Sequence, residues 1–437
     1  MKRQIIFMLA LVPMLLCASV IDELRDNPRK SGSYMYAYPI PGDIKPPALT
    51  PAPKGYVPFY IDHYGRHGSR WLISQSDYDR PVEMLERLDS AGALTARGKT
   101  VLTQIRQWRI ASTDRLGELT DVGAEQHQGI ARRMTENFPQ IFSGEGKTVA
   151  ARSSIAVRCV LSMLNEVMVL QAVNPRLNVV TDASRADMKT LANSEQFNDK
   201  LRPLQKAARE ASPMGRYRAD EGRFSCQLMD TARQVLTASE RRSLMGALWN
   251  LGVSLQNHHQ AHFDLLDLFT ADDLYNLWAS NNVRNYITYA NAPQTRHMSP
   301  YQQCFLLRDL IAAADAALAD SHRAADLRFG HDTVLMPLAV LMELDNLAVS
   351  IDDLTQVPEL WHNFEVFPMA GNIQMVFYRP TKGGAGDDVL VKVLLNEHEA
   401  SLPVRSAGVA QPYCRWTDLK AYYQAKLARM DAEYDNL

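Results

Sequence analysis

The sequence predicts an α/β protein with a mixed central sheet flanked by helices and a helical insertion between the two halves of the sheet. Three observations carry this expectation. Short β-branched or aromatic runs alternate with helical patterns in residues 56–186 and again in 324–437. Between them, residues 187–323 show long helical patterns and no strand signal. Finally, Arg66-His67, Arg152 and His331-Asp332 all fall at the ends of expected strands, where sheets of this class gather their functional groups. Composition agrees: of 437 residues, 46% are hydrophobic and 22% charged, the balance of a globular chain with a sizeable core. The formal net charge of -2 argues against a nucleic-acid partner, so any anion site must be local.

Taken in order, residues 1–19 read as a secretory signal. Lys2 and Arg3 form the charged start, an apolar stretch follows over 5–16, and Cys17-Ala18-Ser19 offers small residues for cleavage after Ser19. The expected location is periplasmic or secreted. Cys17 has an alternative reading as a lipid anchor, which the large Leu16 before it fits poorly. No later stretch reads as a transmembrane span. Export implies an oxidising compartment, where Cys159, Cys226, Cys304 and Cys414 permit two disulfides whose pairing the sequence leaves open. None has C-x-x-C spacing, and no metal or other cofactor is expected.

Residues 20–55 are rich in proline and read as an extended arm. Residues 57–61 are apolar and read as a buried strand. A helix is expected near 81–90. Gly98-Lys99-Thr100 resembles the end of a phosphate loop, but Ala93 stands where that loop needs its first glycine. Thr120 or Asp121 caps a helix to about 137, with Ile130 and Met134 at helical spacing. Residues 148–154 form a second strand, 157–172 a helix and 177–181 a third strand. Helices are expected over 239–259 and 271–290. His258 and His262 would share a helix face, but no glutamate follows His258 as a metalloprotease helix requires, so they read as structural. Residues 326–330 return to strand and deliver His331-Asp332 to a helix over 334–344. Strands over 373–379 and 389–395 form a hairpin around Gly383-Gly384-Ala385-Gly386, and a last helix covers 417–434.

The chemistry concentrates in Gly65-Arg66-His67-Gly68-Ser69-Arg70. Guanidinium forks suit phosphate oxygens, and an imidazole held between them has a nitrogen able to attack phosphorus. Two glycines let the backbone turn tightly and approach a bound group.

These residues resemble the histidine acid phosphatases. That family is marked by R-H-G-x-R near the start, here Arg66 to Arg70, and by H-D or H-A-E late in the chain, here His331-Asp332. Leu119-Thr120, Gly123 and Gln126 match its L-T-x-x-G-x-x-Q element. Arg152-Ser153-Ser154 with Arg158-Cys159-Val160 matches its second arginine segment, and Asn396-Glu397 follows a strand as in the family. Within it, the S-S-x-x-x-R-C-V run and the H-G-S-R turn look most like multiple inositol polyphosphate phosphatases. The His-Asp-Thr sequence departs from their H-A-E and is similar to bacterial phytases and glucose-1-phosphatases. The resemblance implies a small phosphorylated substrate, His67 as nucleophile and Asp332 as proton donor. It also implies that Arg66, Arg70, Arg152 and His331 hold the phosphoryl oxygens, with no metal. Lys189 is an expected contact to a second phosphate, Arg185 and Asp187 are expected near it, and Arg158 reads as a structural ion-pair partner. A broad acid phosphatase, a non-catalytic ligand-binding protein and a phosphomutase are the competing readings, the last weakened by the signal and the large insertion.

Overall fold

The first strand, expected to end at Ile61, continues to Arg66. In the computed structural model, which describes residues 19–38, 48–192, 197–382 and 388–437, β1 spans Tyr56–Arg66 and is buried from Pro58 onward. Helices cover both faces, so this strand lacks the alternation of a half-exposed one. Asp62 and His63 hid the continuation, because polar residues rarely run through a core strand. The carboxylate of Asp62 is paired with Arg328 of the neighbouring strand, and both side chains are fully buried.

The other strands are β2 Thr148–Ser153, β3 Asn178–Asp182, β4 Arg323–Gly330, β5 Asn372–Pro380, β6 Leu390–Leu395, β7 His398–Glu399 and β8 Cys414–Arg415. Their order is β3-β2-β4-β1-β5-β6-β7, with β8 also on β6. The first four in that order run parallel, and β5 and β6 join antiparallel, which makes the sheet mixed. The register decides where the site lies. Arg66 faces Gly330, and Ser153 faces Phe329. The residues that follow, His67, Ser154 and His331, therefore leave the sheet at one edge.

Helices Asp121–Asn137 and Val157–Val173 cover one face through Ile130, Met134, Met163 and Val167. Helices Cys304–Ala319, Asp332–Leu341 and Trp416–Asp435 cover the other through Leu306, Leu310, Val334, Leu338 and Trp416. A third core joins helices Ser76–Ser90 and Ala96–Ala111 to Glu221–Leu228 and Ala238–Leu255. The helical layer thus recruits residues from before position 187. Cys304–Ala319, inside the span expected as an insertion, packs on the sheet.

Several local expectations change. The extended arm contains a helix, Val20–Asp26, and a 3-10 segment, Pro28–Met35. The helix Ala238–Leu255 stops before His258. His258 instead lies buried against the rings of Trp71 and Trp108, at 4.2 and 5.0 Å, and His262 is exposed. Gly98 lies inside the helix Ala96–Ala111, where an added Cβ would come within 2.2 Å of the Leu228 carbonyl, so its role is close packing. The four cysteines are free: Cys159 bonds the Gly330 carbonyl, Cys414 contacts Ser406, Cys304 is buried and Cys226 is exposed. Lys2, Arg3, Cys17 and residues 383–386 lie outside the described residues. Among those described, no helix is long and apolar enough to cross a membrane.

Candidate active site

The turn after β1 is pinned on every side. The amide of His67 donates to Gly330 at 3.0 Å, and its carbonyl accepts from Ala370 at 3.0 Å. Behind the turn stands the start of helix Asp121–Asn137. A Cβ on Gly68 would meet the Gly123 carbonyl at 2.5 Å, and one on Gly123 would meet the Ser69 carbonyl at 2.3 Å. Two backbones touch there, and only glycine permits it. Gln126 accepts from the Ser69 amide at 2.8 Å, and the amide and hydroxyl of Thr120 donate to the Ser69 carbonyl at 2.9 and 3.1 Å. The Leu-Thr-x-x-Gly-x-x-Gln element is thus a brace that fixes the turn.

His67 Nδ1 lies 2.9 Å from the Gly68 carbonyl oxygen. A carbonyl only accepts, so Nδ1 carries the proton and Nε2 keeps its lone pair. Burial, then the guanidiniums of Arg66, Arg158 and Arg70, hold this imidazole's pKa well below that of an ordinary histidine. The ring is therefore neutral. His331 stands 5.7 Å away between centroids, with Nε2 3.1 Å from the Ser154 hydroxyl. Burial and Arg158 push it down to about 4. Burial acts to raise the Asp332 carboxyl. Arg66, Arg70, His331 and the Thr333 amide outweigh burial and leave it below the ordinary value.

The guanidiniums have donors to spare. Arg66 is fully buried; Nη1 donates to the carbonyls of Tyr34 and Phe367, each at 2.7 Å, and Nη2 lies 3.8 Å from the Asp332 carboxylate. Its Nε and Nη2 have no hydrogen-bond partner among the described residues, nor do Nε of Arg70 and Nε of Arg158. Unmet charged donors in a buried position are costly unless something fills them. Arg70 and Arg158 line a cavity of about 340 Å³ with Tyr34, His67, His331 and Asp332, among others, and Arg66 Nη2 stands 3.8 Å from the Asp332 carboxylate on its wall. A neutral nucleophilic nitrogen, clustered guanidiniums and the carboxyl groups of Asp332 and Asp77 share this space. That arrangement suits a phosphoryl group.

No family model matches the chain. It is 22% identical over 398 residues to multiple inositol polyphosphate phosphatase 1 of Gallus gallus, covering 86% of this chain and 84% of that protein. Its fold superposes on the Bifidobacterium longum multiple inositol polyphosphate phosphatase in complex with phosphate with a TM-score of 0.73, at 19% identity over 91% of this chain and 98% of the other. The phytase from D. castellii superposes with a TM-score of 0.67, at 14% identity over 92% of this chain and 85% of the other. The chain has the histidine acid phosphatase fold. The resemblance carried by its short motifs extends over the domain as a whole.

Within the phosphatase fold, the sequence-derived site divides. His67, Arg66, Arg70, His331 and Asp332 come together. Arg152 does not join them. Alternation along β2 places it on the side of Cys304–Ala319, where it bonds Asp309 at 2.7 Å and Asp187 at 3.1 Å. Lys189 is also absent from the cavity wall: its exposed ammonium sits 4.0 Å from the centre of the Phe305 ring. Arg158, expected to be a structural ion-pair partner, makes no ion pair among the described residues and lines the cavity instead. A signal was present. Arg158 is the second residue of the helix Val157–Val173, where the helix dipole disfavours a cation. Tyr34 was missed because residues 20–55 read as an arm. Buried Ser33 just before it has φ +56°, a strained value for a serine. Among the described residues, one grouping has metal-ligand spacing, Glu23, His362 and Glu365. It does not line this cavity, and Glu23 is paired with Lys30.

Proposed function

We propose that the protein is an exported phosphomonoesterase that hydrolyses inositol polyphosphates such as phytate through a phosphohistidine on His67. The observation that carries this reading is the neutral His67 imidazole, its Nδ1 committed to Gly68, beside three guanidiniums with unmet donors. In the first step Nε2 attacks phosphorus and the bond to the leaving oxygen breaks. Arg66, Arg70, Arg158 and His331 hold the phosphoryl oxygens, and Asp332 gives its proton to the departing alcohol. In the second step water attacks phosphorus, the P–N bond breaks, and Asp332 takes the proton from water. Inorganic phosphate leaves and the imidazole is restored. Asp332 is held ionised by Arg66 and Arg70 in the free protein. A bound phosphate dianion offsets both cations, so the carboxyl gains its proton as substrate arrives.

Support for the substrate comes from the relatives, which are named as inositol polyphosphate phosphatases and a phytase. Export to the periplasm or outside the cell is the part of this reading that rests on the signal-like residues 1–19 alone. A second reading, a broad acid phosphatase or glucose-1-phosphatase, is favoured by the His331-Asp332-Thr333 sequence. Phosphate release from phytate, glucose 1-phosphate and p-nitrophenyl phosphate separates these readings. His67→Ala abolishes turnover. Asp332→Asn slows alkyl phosphates, with poor leaving groups, about 10² more than p-nitrophenyl phosphate. No release from any ester, with tight binding of phytate, would identify a binding protein instead.

A further inference from the structure

Behind the catalytic turn, between β1 and two helices, lies a buried polar cluster that takes no part in the steps above. His127 of helix Asp121–Asn137 meets Glu166 of helix Val157–Val173, Nδ1 to Oε1 at 2.7 Å, and both side chains are fully buried. His127 Nε2, Glu166 Oε2 and both ring nitrogens of His63 have no hydrogen-bond partner among the described residues. The His63 and His127 rings lie against Phe329, at 5.4 and 5.9 Å between centroids. Polar groups set into an apolar core in this way lower stability, so packing alone does not account for them.

Each of the two helices also grips the turn. Gln126, next to His127, accepts from the Ser69 amide at 2.8 Å. Ser162, one turn before Glu166, accepts from the Gly68 amide at 3.1 Å. The Gly68 carbonyl and the Ser69 amide belong to one planar peptide. Gln126 therefore holds the unit whose other end fixes His67 Nδ1 at 2.9 Å. A second tie between the helices, Gln128 to Asn165 at 2.9 Å, joins half-buried residues, where water competes for both groups. We infer that His127 and Glu166 are positioning residues for the nucleophile. Their buried bond locks one helix to the other, and with them the Gly68–Ser69 peptide that keeps His67 Nε2 unprotonated and aimed at phosphorus. This rests on the phosphatase reading above and adds to it two residues that touch no substrate.

The test compares wild type with Glu166→Leu, the double variant His127→Leu/Glu166→Leu, and Glu166→Gln. Each is read for its urea midpoint, for kcat and KM on p-nitrophenyl phosphate, and for the His67 tautomer by nitrogen NMR at neutral pH. The double variant removes both polar groups, so its midpoint should stand at or above that of Glu166→Leu, which strands His127. The inference expects both leucine forms to lower kcat about tenfold with KM within about twofold, and to mix the two His67 tautomers. Glu166→Gln keeps an acceptor for Nδ1 and should recover most of kcat. A folded double variant with wild-type kcat and a single tautomer overturns the inference, as does a Glu166→Gln form as slow as Glu166→Leu. If the leucine forms do not fold, Glu166→Asp, one methylene shorter, takes their place, and wild-type kcat in it overturns the inference. If wild type hydrolyses no ester, the phosphatase reading fails first. The tautomer comparison then still decides the tie, and a single unchanged tautomer in Glu166→Leu overturns it.

Discussion

Truncating Arg158 and Arg152 in parallel separates the chemical cation from the structural one. Among the described residues Arg158 has no ion pair, and its buried Nε has no hydrogen-bond partner. Its removal costs folding little and relieves repulsion from Arg66 and Arg70. What it removes is one donor to charge on the transferring phosphoryl group, which typically lowers kcat by about 10²–10³. Arg152 is the reverse case. Its side chain is 27% exposed and bonds Asp309 and Asp187. Fully buried pairs cost about 3–5 kcal/mol to break, and exposure with the surviving Arg328 partner of Asp309 reduces this to about 1–2 kcal/mol. Arg158→Ala should therefore keep the urea midpoint and lose kcat/KM for p-nitrophenyl phosphate, while Arg152→Ala should lose stability and keep most of its activity. The reasoning is refuted if Arg158→Ala works within about threefold of wild type, or if Arg152→Ala is as impaired in turnover as Arg158→Ala is expected to be.

Two further predictions follow from the same geometry. Burial lowers His63 and His331 to about 4 and His258 to about 3, and burial with three arginines holds His67 well below the ordinary histidine value. The unfolded chain binds protons on these rings below about pH 6.5 and the folded chain does not, so stability should fall between about pH 6.5 and 4. Urea midpoints measured over that range check this, and a flat profile contradicts it. Gly123→Ala drives a Cβ toward the Ser69 carbonyl and should cost about 1–3 kcal/mol together with a fall in kcat, measured by denaturation and turnover on one preparation. Wild-type values in both would show that the brace does not set the turn.

The sequence made the sheet legible because its strands are short, β-branched and punctuated, and because Arg66, His67, His331 and Asp332 stand at strand ends. It did not reveal which way a side chain at a strand end faces. Arg152 and Arg158 share one motif, but the pleat of β2 turns the first toward Asp309 while the helix start turns the second into the cavity. Arg209 and Arg284 gave no local signal, since arginines on helices are usually solvated. Only the packing of helix Asn198–Glu210 on helix Ala271–Tyr289, and of the latter beside the Asp332 helix, brings them to a cavity wall shared with Asp332. Tyr34 was hidden for a related reason: proline density suggested an arm, and the strained turn at Ser33 has no sequence signature.

The most direct measurement is a rapid quench of the wild-type enzyme turning over a phosphate-labelled substrate, followed by mapping of the labelled peptide. An acid-labile, base-stable phosphoryl group on the peptide carrying His67, absent from His67→Ala, is the predicted result. Label on any other residue, or full turnover with no phosphoenzyme and an active His67→Ala, would contradict it.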